Sequence, residues 1–205
     1  MAERVGSESG DEPDLSDLEG VSNVLLLAPS LGSAGSDACT RLLAQTPAAE
    51  TSVLSITYTR SPAEVVERYR EAAGDDPVRG GIVTVGEADP SVDSSAWAAR
   101  GIENPGDLTG IGIELSELLS GIANAAEDGH IAVCFDSLTS LLQYADLQRA
   151  FRFLHVVTGR VKTVGGVGHY HIDPEAHDQQ TLATLKGLFD AVVEVDEDGT
   201  WSVTR

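Results

Sequence analysis

The chain has 205 residues, of which 41% are hydrophobic, so it is long enough for one domain with a full core. Its formal net charge is −20, from 33 acidic and 13 basic residues, and its only lysines are Lys162 and Lys186. This charge repels phosphate backbones and anionic membranes, so neither nucleic acid nor a membrane is an expected partner. An acidic partner-binding face and adaptation to high salt both explain the charge. The spread of acids along the chain and the scarcity of lysine favour a halophilic protein.

The amino-terminal segment predicts a tail. Residues 1–20 are acidic and poor in apolar side chains, which predicts disorder ahead of a folded domain at 21–205. This segment lacks the basic and apolar regions of a leader peptide, and no apolar run approaches the roughly 20 residues of a membrane span. Cys39 and Cys134 are too few for a disulfide framework. We expect both to be small buried hydrophobes in a cytoplasmic protein.

The rest of the chain alternates apolar strands with amphipathic helices. The pattern predicts strands at 24–28, 53–58, 81–85, 131–135 and 161–170, and a hairpin at 191–195 and 201–203. Helices are predicted at 36–43, 61–73, 108–126, 138–159 and 174–188, and a long surface loop at 87–107. These elements predict a three-layer α/β domain, with a mostly parallel sheet covered on both faces and an antiparallel hairpin at its carboxyl terminus. Ligands of such sheets bind at the carboxyl ends of the strands.

The first strand and helix have the outline of a phosphate-binding loop. Residues 24–43 read VLLLAPSLGSAGSDACTRLL, an apolar strand followed by a Gly/Ser-rich turn and a helix. The candidate nucleotide-binding residues, with Asp136 from a later strand, are Ser30, Gly32, Ser33, Gly35, Ser36 and Thr40. The loop lacks the lysine that such sites use, and Asp37 in the first helical turn would repel a phosphate. A tight strand-to-helix turn without a ligand explains the same residues.

The strand at 131–135 ends in an acid. Residues 131–138 read IAVCFDSL, which places Asp136 where phosphate-loop proteins carry their magnesium ligand. Many strands end in such an acid because it caps the next helix, and Asp136 or Ser137 fits that role equally.

Together these segments resemble the RecA-like superfamily, and within it the KaiC-type ATPases. The resemblance rests on the degenerate loop, on LSITYTRSPAEV at 54–65 and on CFDSL at 134–138, which matches the strand of the magnesium-binding acid. It covers most of residues 21–195. The segments HYHIDPEAHD at 169–178 and LFDAVVEV at 188–195 are similar to a haloarchaeal branch of uncharacterised RecA/KaiC-like proteins.

The departures from that family decide what the resemblance implies. KaiC-type ATPases end their second strand with two glutamates that activate water, and this chain has Thr59 and Arg60 there. The resemblance therefore implies a pseudo-ATPase without catalysis or cofactor. It would act as a regulatory or scaffolding module for a protein partner, either a RecA/KaiC-like relative or a second copy of itself. The alternative is an atypical ATP-binding protein or ATPase that uses Asp136 with Mg-ATP.

Two further features leave alternatives open. His169, His171 and His177 could form a zinc site, but hydrogen bonding around a helix start capped by Asp173 explains them as well, and no metal is expected. Trp97, in the predicted loop, either contacts a partner or folds back onto the edge of the sheet.

Overall fold

The computed structural model describes residues 18–31, 33–125, 129–196 and 198–205. Within these ranges the strands are β1 Asn23–Leu27, β2 Thr51–Thr57, β3 Arg79–Val85, β4 Trp97–Ile102, β5 His130–Asp136, β6 Val167–Ile172, β7 Ala191–Val195 and β8 Trp201–Thr204. The helices are α1 Ala34–Leu43, α2 Pro62–Ala73, α3 Leu108–Ala125, α4 Leu138–Tyr144, α5 Leu147–Thr163 and α6 Gln179–Lys186. Short 3₁₀ turns lie at Ala48–Glu50 and Pro174–Ala176.

The strands form a single sheet in the order β4-β3-β2-β5-β6-β1-β7-β8. All neighbouring strands are parallel except β7 and β8, which pair antiparallel. Helices α1 and α2 cover one face of the sheet, and α3 to α6 cover the other. The predicted three-layer α/β architecture and the antiparallel carboxyl-terminal hairpin are therefore confirmed. Strand β6 lies between β1 and β5, so its end separates the loop after β1 from Asp136.

The central strands are largely buried because both faces of the sheet are covered. Every residue of β1 and β2 is buried. Alternate residues of a strand point to opposite faces, so Leu25 and Tyr170 pack towards α3 to α6, whereas Leu26 and Cys134 pack towards α1 and α2. This alternation also places the even-numbered residues of β5 and the odd-numbered residues of β6 under α1.

The predicted loop at 87–107 contains a strand, which corrects the sequence analysis. Strand β4 pairs with β3 at the edge of the sheet, and Gly80 lies opposite Trp97. The Trp97 side chain is 5% exposed, and its Nε1 donates a hydrogen bond to Asp76 at 2.8 Å. Trp97 therefore belongs to the edge of the sheet and does not form a free contact surface.

Two predicted helices are each divided in the structure. The helix predicted at 138–159 is α4 and α5, because Asp146 starts a new helix by accepting a hydrogen bond from the Arg149 amide at 2.8 Å. Helix α5 continues to Thr163, so the strand predicted from 161 begins only at Val167. The helix predicted at 174–188 is a 3₁₀ turn followed by α6, which Asp178 caps.

The predicted disordered tail falls mostly outside the described residues. Of residues 1–20 the structure describes 18–20, and Leu18 packs against the core under α1 and α2. Among the helices described, none has the length and apolar character needed to cross a membrane.

The contact between β3 and β4 predicts that two glycine-to-alanine substitutions change the stability of the protein in opposite directions. A Cβ atom at Gly80 would overlap the Trp97 ring, so we expect Gly80→Ala to lower the free energy of unfolding by about 1–3 kcal/mol. Gly121→Ala is the matched control, because nothing lies within 4 Å of its Cβ position in α3, and it should raise the free energy by up to about 1 kcal/mol. Urea unfolding in molar KCl measures both. Equal stability of Gly80→Ala and the unmodified protein would contradict this packing.

Candidate functional site

The candidate site lies at the carboxyl-terminal edge of the sheet, where the central strands β1, β2, β5 and β6 end side by side. Asp136 is the last residue of β5, and its register partner on β2 is Thr57. His171 is the next-to-last residue of β6 and pairs with Leu26 of β1. Both Asp136 and His171 are 5% exposed. The parallel arrangement thus places a carboxylate and an imidazole together under the amino-terminal part of α1.

Asp136 is paired with two cationic side chains of the protein itself. The Nδ1 atom of His171 lies 2.9 Å from Oδ1 of Asp136, and Nη1 of Arg60 donates to Oδ2. The second arm of the Arg60 guanidinium, Nη2, donates to Oγ of Ser36 at 2.7 Å. Both carboxylate oxygens of Asp136 therefore have a partner, and Arg60 links the end of β5 to α1.

The hydrogen bonds of His171 require a doubly protonated ring. Its Nε2 lies 3.0 Å from the carbonyl oxygen of Ala28, which can only accept, and its Nδ1 faces the Asp136 carboxylate. Burial opposes the charged form, but the hydrogen bond to Asp136 and the negative charge of that carboxylate outweigh it and raise the pKa of His171 to about 9. Burial likewise opposes ionisation of Asp136, yet His171 and Arg60 hold its pKa below the usual range. The cluster is thus Arg⁺, Asp⁻ and His⁺.

The turn after β2 aims Arg60 at the carboxylate. Oγ1 of Thr57 accepts hydrogen bonds from the backbone amides of Thr59, at 3.3 Å, and Arg60, at 3.0 Å. Helix α2 begins immediately afterwards, capped reciprocally by Ser61 and Glu64. Arg60 is therefore held between two local hydrogen-bonded motifs.

The loop after β1 presents carboxylates where a phosphate would bind. The backbone amide of Ser30 donates to Oδ2 of Asp173 at 3.0 Å. In the first turn of α1, Asp37 pairs with Arg68 of α2 at 3.2 Å. The chain folds tightly here, since a Cβ at Gly35 would lie 2.6 Å from the carbonyl oxygen of Pro29 and 3.2 Å from Nε2 of His171.

The structure brings together only some of the predicted nucleotide-binding residues. Ser36 and Asp136 are joined through Arg60. Ser33 precedes α1 without a side-chain capping bond, and Thr40 donates its hydroxyl to the backbone of its own helix at 3.0 Å. Gly32 lies outside the described residues.

These residues do not fit a magnesium nucleotide. The acid that would bind the metal already has two cationic partners, and the Ser30 amide already binds a carboxylate. The two lysines lie elsewhere, Lys162 in the last turn of α5 and Lys186 at 3.6 Å from Glu194. Neither lysine therefore supplies a phosphate-binding cation at the carboxyl ends of the central strands.

The three histidines do not form one metal site. His169 and His171 point to the same face of β6, as predicted, but His171 is engaged by Asp136 and Ala28. His177 lies between the 3₁₀ turn and α6, with its Nε2 3.2 Å from Oγ1 of Thr139. Among the residues that the structure describes, no cluster of metal-ligand atoms includes His177. The predicted capping role of Asp173 is present, since its Oδ1 accepts from the Glu175 amide at 3.0 Å.

The chain matches the model of one known protein family. A model of a family of unknown function, DUF7504, matches residues 21–195. The chain belongs to the DUF7504 family. No curated protein matches it.

Two solved structures are similar to this DUF7504 domain in fold. One is the Pyrococcus horikoshii OT3 protein PH0250, with 12% identity and a TM-score of 0.54, over 89% of this chain and 85% of that chain. The other is the flagellar accessory protein FlaH from Methanocaldococcus jannaschii, with 11% identity and a TM-score of 0.51, over 89% of this chain and 75% of that chain. With the observed strand order, they confirm the predicted RecA-like fold.

The sequence analysis missed a second group of residues in this DUF7504 domain. Cys134 and His169 lie two residues before Asp136 and His171 on their strands, and Cys39 of α1 packs over them. The signal was the period of two along a strand, which puts residues i and i+2 on one face. Applied to β5 and β6 together, it groups Cys134, Asp136, His169 and His171 under α1.

The protonated state of His171 predicts a pH dependence of stability. A raised folded-state pKa contributes stability that is fully present below the ordinary value near 6.5 and is lost as the pH rises through about 9. The contribution is about 3 kcal/mol. We expect the free energy of unfolding to fall from pH 7 to pH 10 more steeply in the unmodified protein than in His171→Asn. The exposed His155→Asn on α5 is the control and should keep the steep slope. Parallel curves for all three proteins would contradict a charged His171.

Proposed function

We propose that this protein is a non-catalytic RecA/KaiC-like pseudo-ATPase that acts as a regulatory or scaffolding module by binding another protein. The observation that carries the proposal is the pairing of Asp136 with Arg60 and His171. In nucleotide hydrolases of this type an acid at this position binds magnesium. Here the protein's own cations neutralise that acid.

The energetics of the cluster support this proposal. Magnesium could reach Asp136 only by displacing Arg60 or His171, and breaking a buried ion pair costs about 3–5 kcal/mol. Hydrolysis also needs positioned phosphates and an oriented water. The phosphate lysine is missing, Thr59 and Arg60 replace the water-activating glutamates of the KaiC-type pattern, and Asp173 binds a loop amide. Each of these three differences from the KaiC-type pattern opposes ATP hydrolysis, so a loss of catalysis explains all three.

An exposed apolar face supports the interaction role. Ile113 of α3 is 53% exposed and Val156 of α5 is 52% exposed, and both border a groove of about 390 Å³ that Phe153 also lines. Clustered exposed apolar side chains on a folded domain mark protein contacts. Glu117 of α3 and Arg160 of α5 border the same groove with opposite charges. A twofold axis that crosses the groove can set Glu117 of one copy against Arg160 of the other, so we propose a second copy as the partner.

The first test is nucleotide binding. We expect no binding heat and no shift of the melting temperature when ATP or ADP is added with Mg²⁺, because Asp136 is already neutralised by its protein partners. Calorimetry and thermal unfolding in molar KCl measure this in the unmodified protein and in Asp136→Ala. Binding that Asp136→Ala abolishes would overturn the pseudo-ATPase and favour an atypical ATP-binding protein.

The second test is self-association. We expect a dimer in molar KCl at micromolar concentrations, and we expect Val156→Glu to give monomers because it places a charge in the apolar contact. Val78→Glu makes the same change at a valine that is 48% exposed and does not line the groove, so it should leave the dimer intact. Size-exclusion chromatography with light scattering measures the mass. A monomeric unmodified protein, or equal effects of both variants, would contradict this interface.

A further inference from the structure

Below the charged cluster, towards the middle of the sheet, lies a second group of reactive side chains. Cys134 of β5 and His169 of β6 are direct register partners on neighbouring parallel strands. Cys39 of α1 packs over them, and one ligand atom from each of the three residues lies within 4.8 Å of the others. All three side chains are buried, with 3–4% exposed. Strand register and helix packing thus bring together two thiols and an imidazole that are far apart in sequence.

His169 gives an independent indication that this group binds something. Its Nε2 atom is buried and has no hydrogen-bond partner among the described residues. A buried polar atom without a partner destabilises the folded state. His171, two residues away on the same face, has partners at both ring nitrogens. A cation at the thiols would satisfy the His169 ring nitrogen.

We propose that Cys39, Cys134 and His169 bind one zinc ion. Two thiolates and an imidazole are ligands that zinc prefers in structural sites, at about 2.3 Å for sulfur and about 2.0–2.1 Å for nitrogen. Tetrahedral ligands at those lengths lie about 3.3–3.8 Å from one another. The observed group therefore needs to contract by at most about 1.5 Å, which side-chain rotation at Cys39 can supply.

Asp136 lies beside Cys39 but belongs to a different group of side chains. Cys39 also forms a group with Asp136 and His171 in which the ligand atoms lie within 4.8 Å of one another. Both carboxylate oxygens of Asp136 already have a cationic partner, so Asp136 is not counted among the zinc ligands. The three protein ligands then leave the fourth tetrahedral position to a water molecule.

Charge balance in the buried interior favours this ion. In the metal-free protein the hydrogen bond with Cys134 and burial raise the pKa of Cys39, so its thiol is protonated. Binding forms two zinc–sulfur bonds and releases the two thiol protons to solvent. Zn²⁺ with two thiolates is electrically neutral, which suits a buried position. Magnesium and calcium prefer oxygen ligands and do not select thiols.

The test uses the full chain, purified under reducing conditions and freed of metal with a chelator. We expect one Zn²⁺ per chain, release of about two protons per ion, and, with Co²⁺ as the probe, the charge-transfer absorption of cobalt–thiolate bonds. Cys39→Ala, Cys134→Ala and His169→Asn should each weaken zinc binding by at least about 100-fold. His177→Asn changes a histidine outside the group and should bind zinc like the unmodified protein.

Several results would overturn the zinc site. These are the absence of stoichiometric zinc binding, binding that survives both cysteine substitutions, cobalt binding without thiolate absorption, and stoichiometric copper in place of zinc in the protein as purified. Circular dichroism checks the fold of each variant. If a variant does not fold, the cobalt spectrum of the unmodified protein decides alone. The nucleotide titration is a separate measurement. A negative result for zinc binding therefore does not affect the pseudo-ATPase proposal, and nucleotide binding would not affect the zinc proposal.

Discussion

A buried carboxylate stays ionised when cations or hydrogen-bond donors lie beside it, and Asp136 imposes that requirement on the carboxyl ends of the central strands. It is 5% exposed at the end of β5, where burial alone would favour its neutral form. Arg60 arrives from the turn after β2, and His171 arrives from β6. Arg60 also binds Ser36 of α1, and His171 also binds the end of β1 at Ala28. One negative charge thereby joins five elements of the fold.

At the same end of the sheet, a loop amide and nearby cations are paired with carboxylates of the chain itself. In a phosphate loop, backbone amides and a cation surround an anionic ligand. Here the amide of Ser30 binds the carboxylate of Asp173, and the cations that remain bind Asp136. The Ser30 amide and both carboxylate oxygens of Asp136 are thus paired within the chain.

The sequence predicts the elements that carry a strong pattern and misses those decided by tertiary contacts. Strands β1 and β5 contain apolar runs of four and five residues, and their parallel arrangement followed directly from that pattern. Strand β4 reads WAARGI, which has little hydrophobic pattern because it lies at the edge, and its position depends on Gly80 admitting Trp97. The division between α4 and α5 rests on one capping residue, Asp146, inside a helical pattern. Proximity in sequence grouped His177 with His171, but the 3₁₀ turn directs them apart.

The candidate site was predictable only as far as the register of neighbouring strands could be inferred. On the face under α1, Thr57 pairs with Asp136, and Ser55 pairs with Cys134, which in turn pairs with His169. The outer row carries charge because Arg60 and His171 pair with Asp136, whereas the inner row contains the Cys134 thiol and the His169 imidazole. Helix α1 covers both rows, with Ser36 over the charged row and Cys39 over the thiols. Because α1 contacts both rows, a displacement of this helix would change the contact between Arg60 and Ser36 and the geometry of the thiol–imidazole group together.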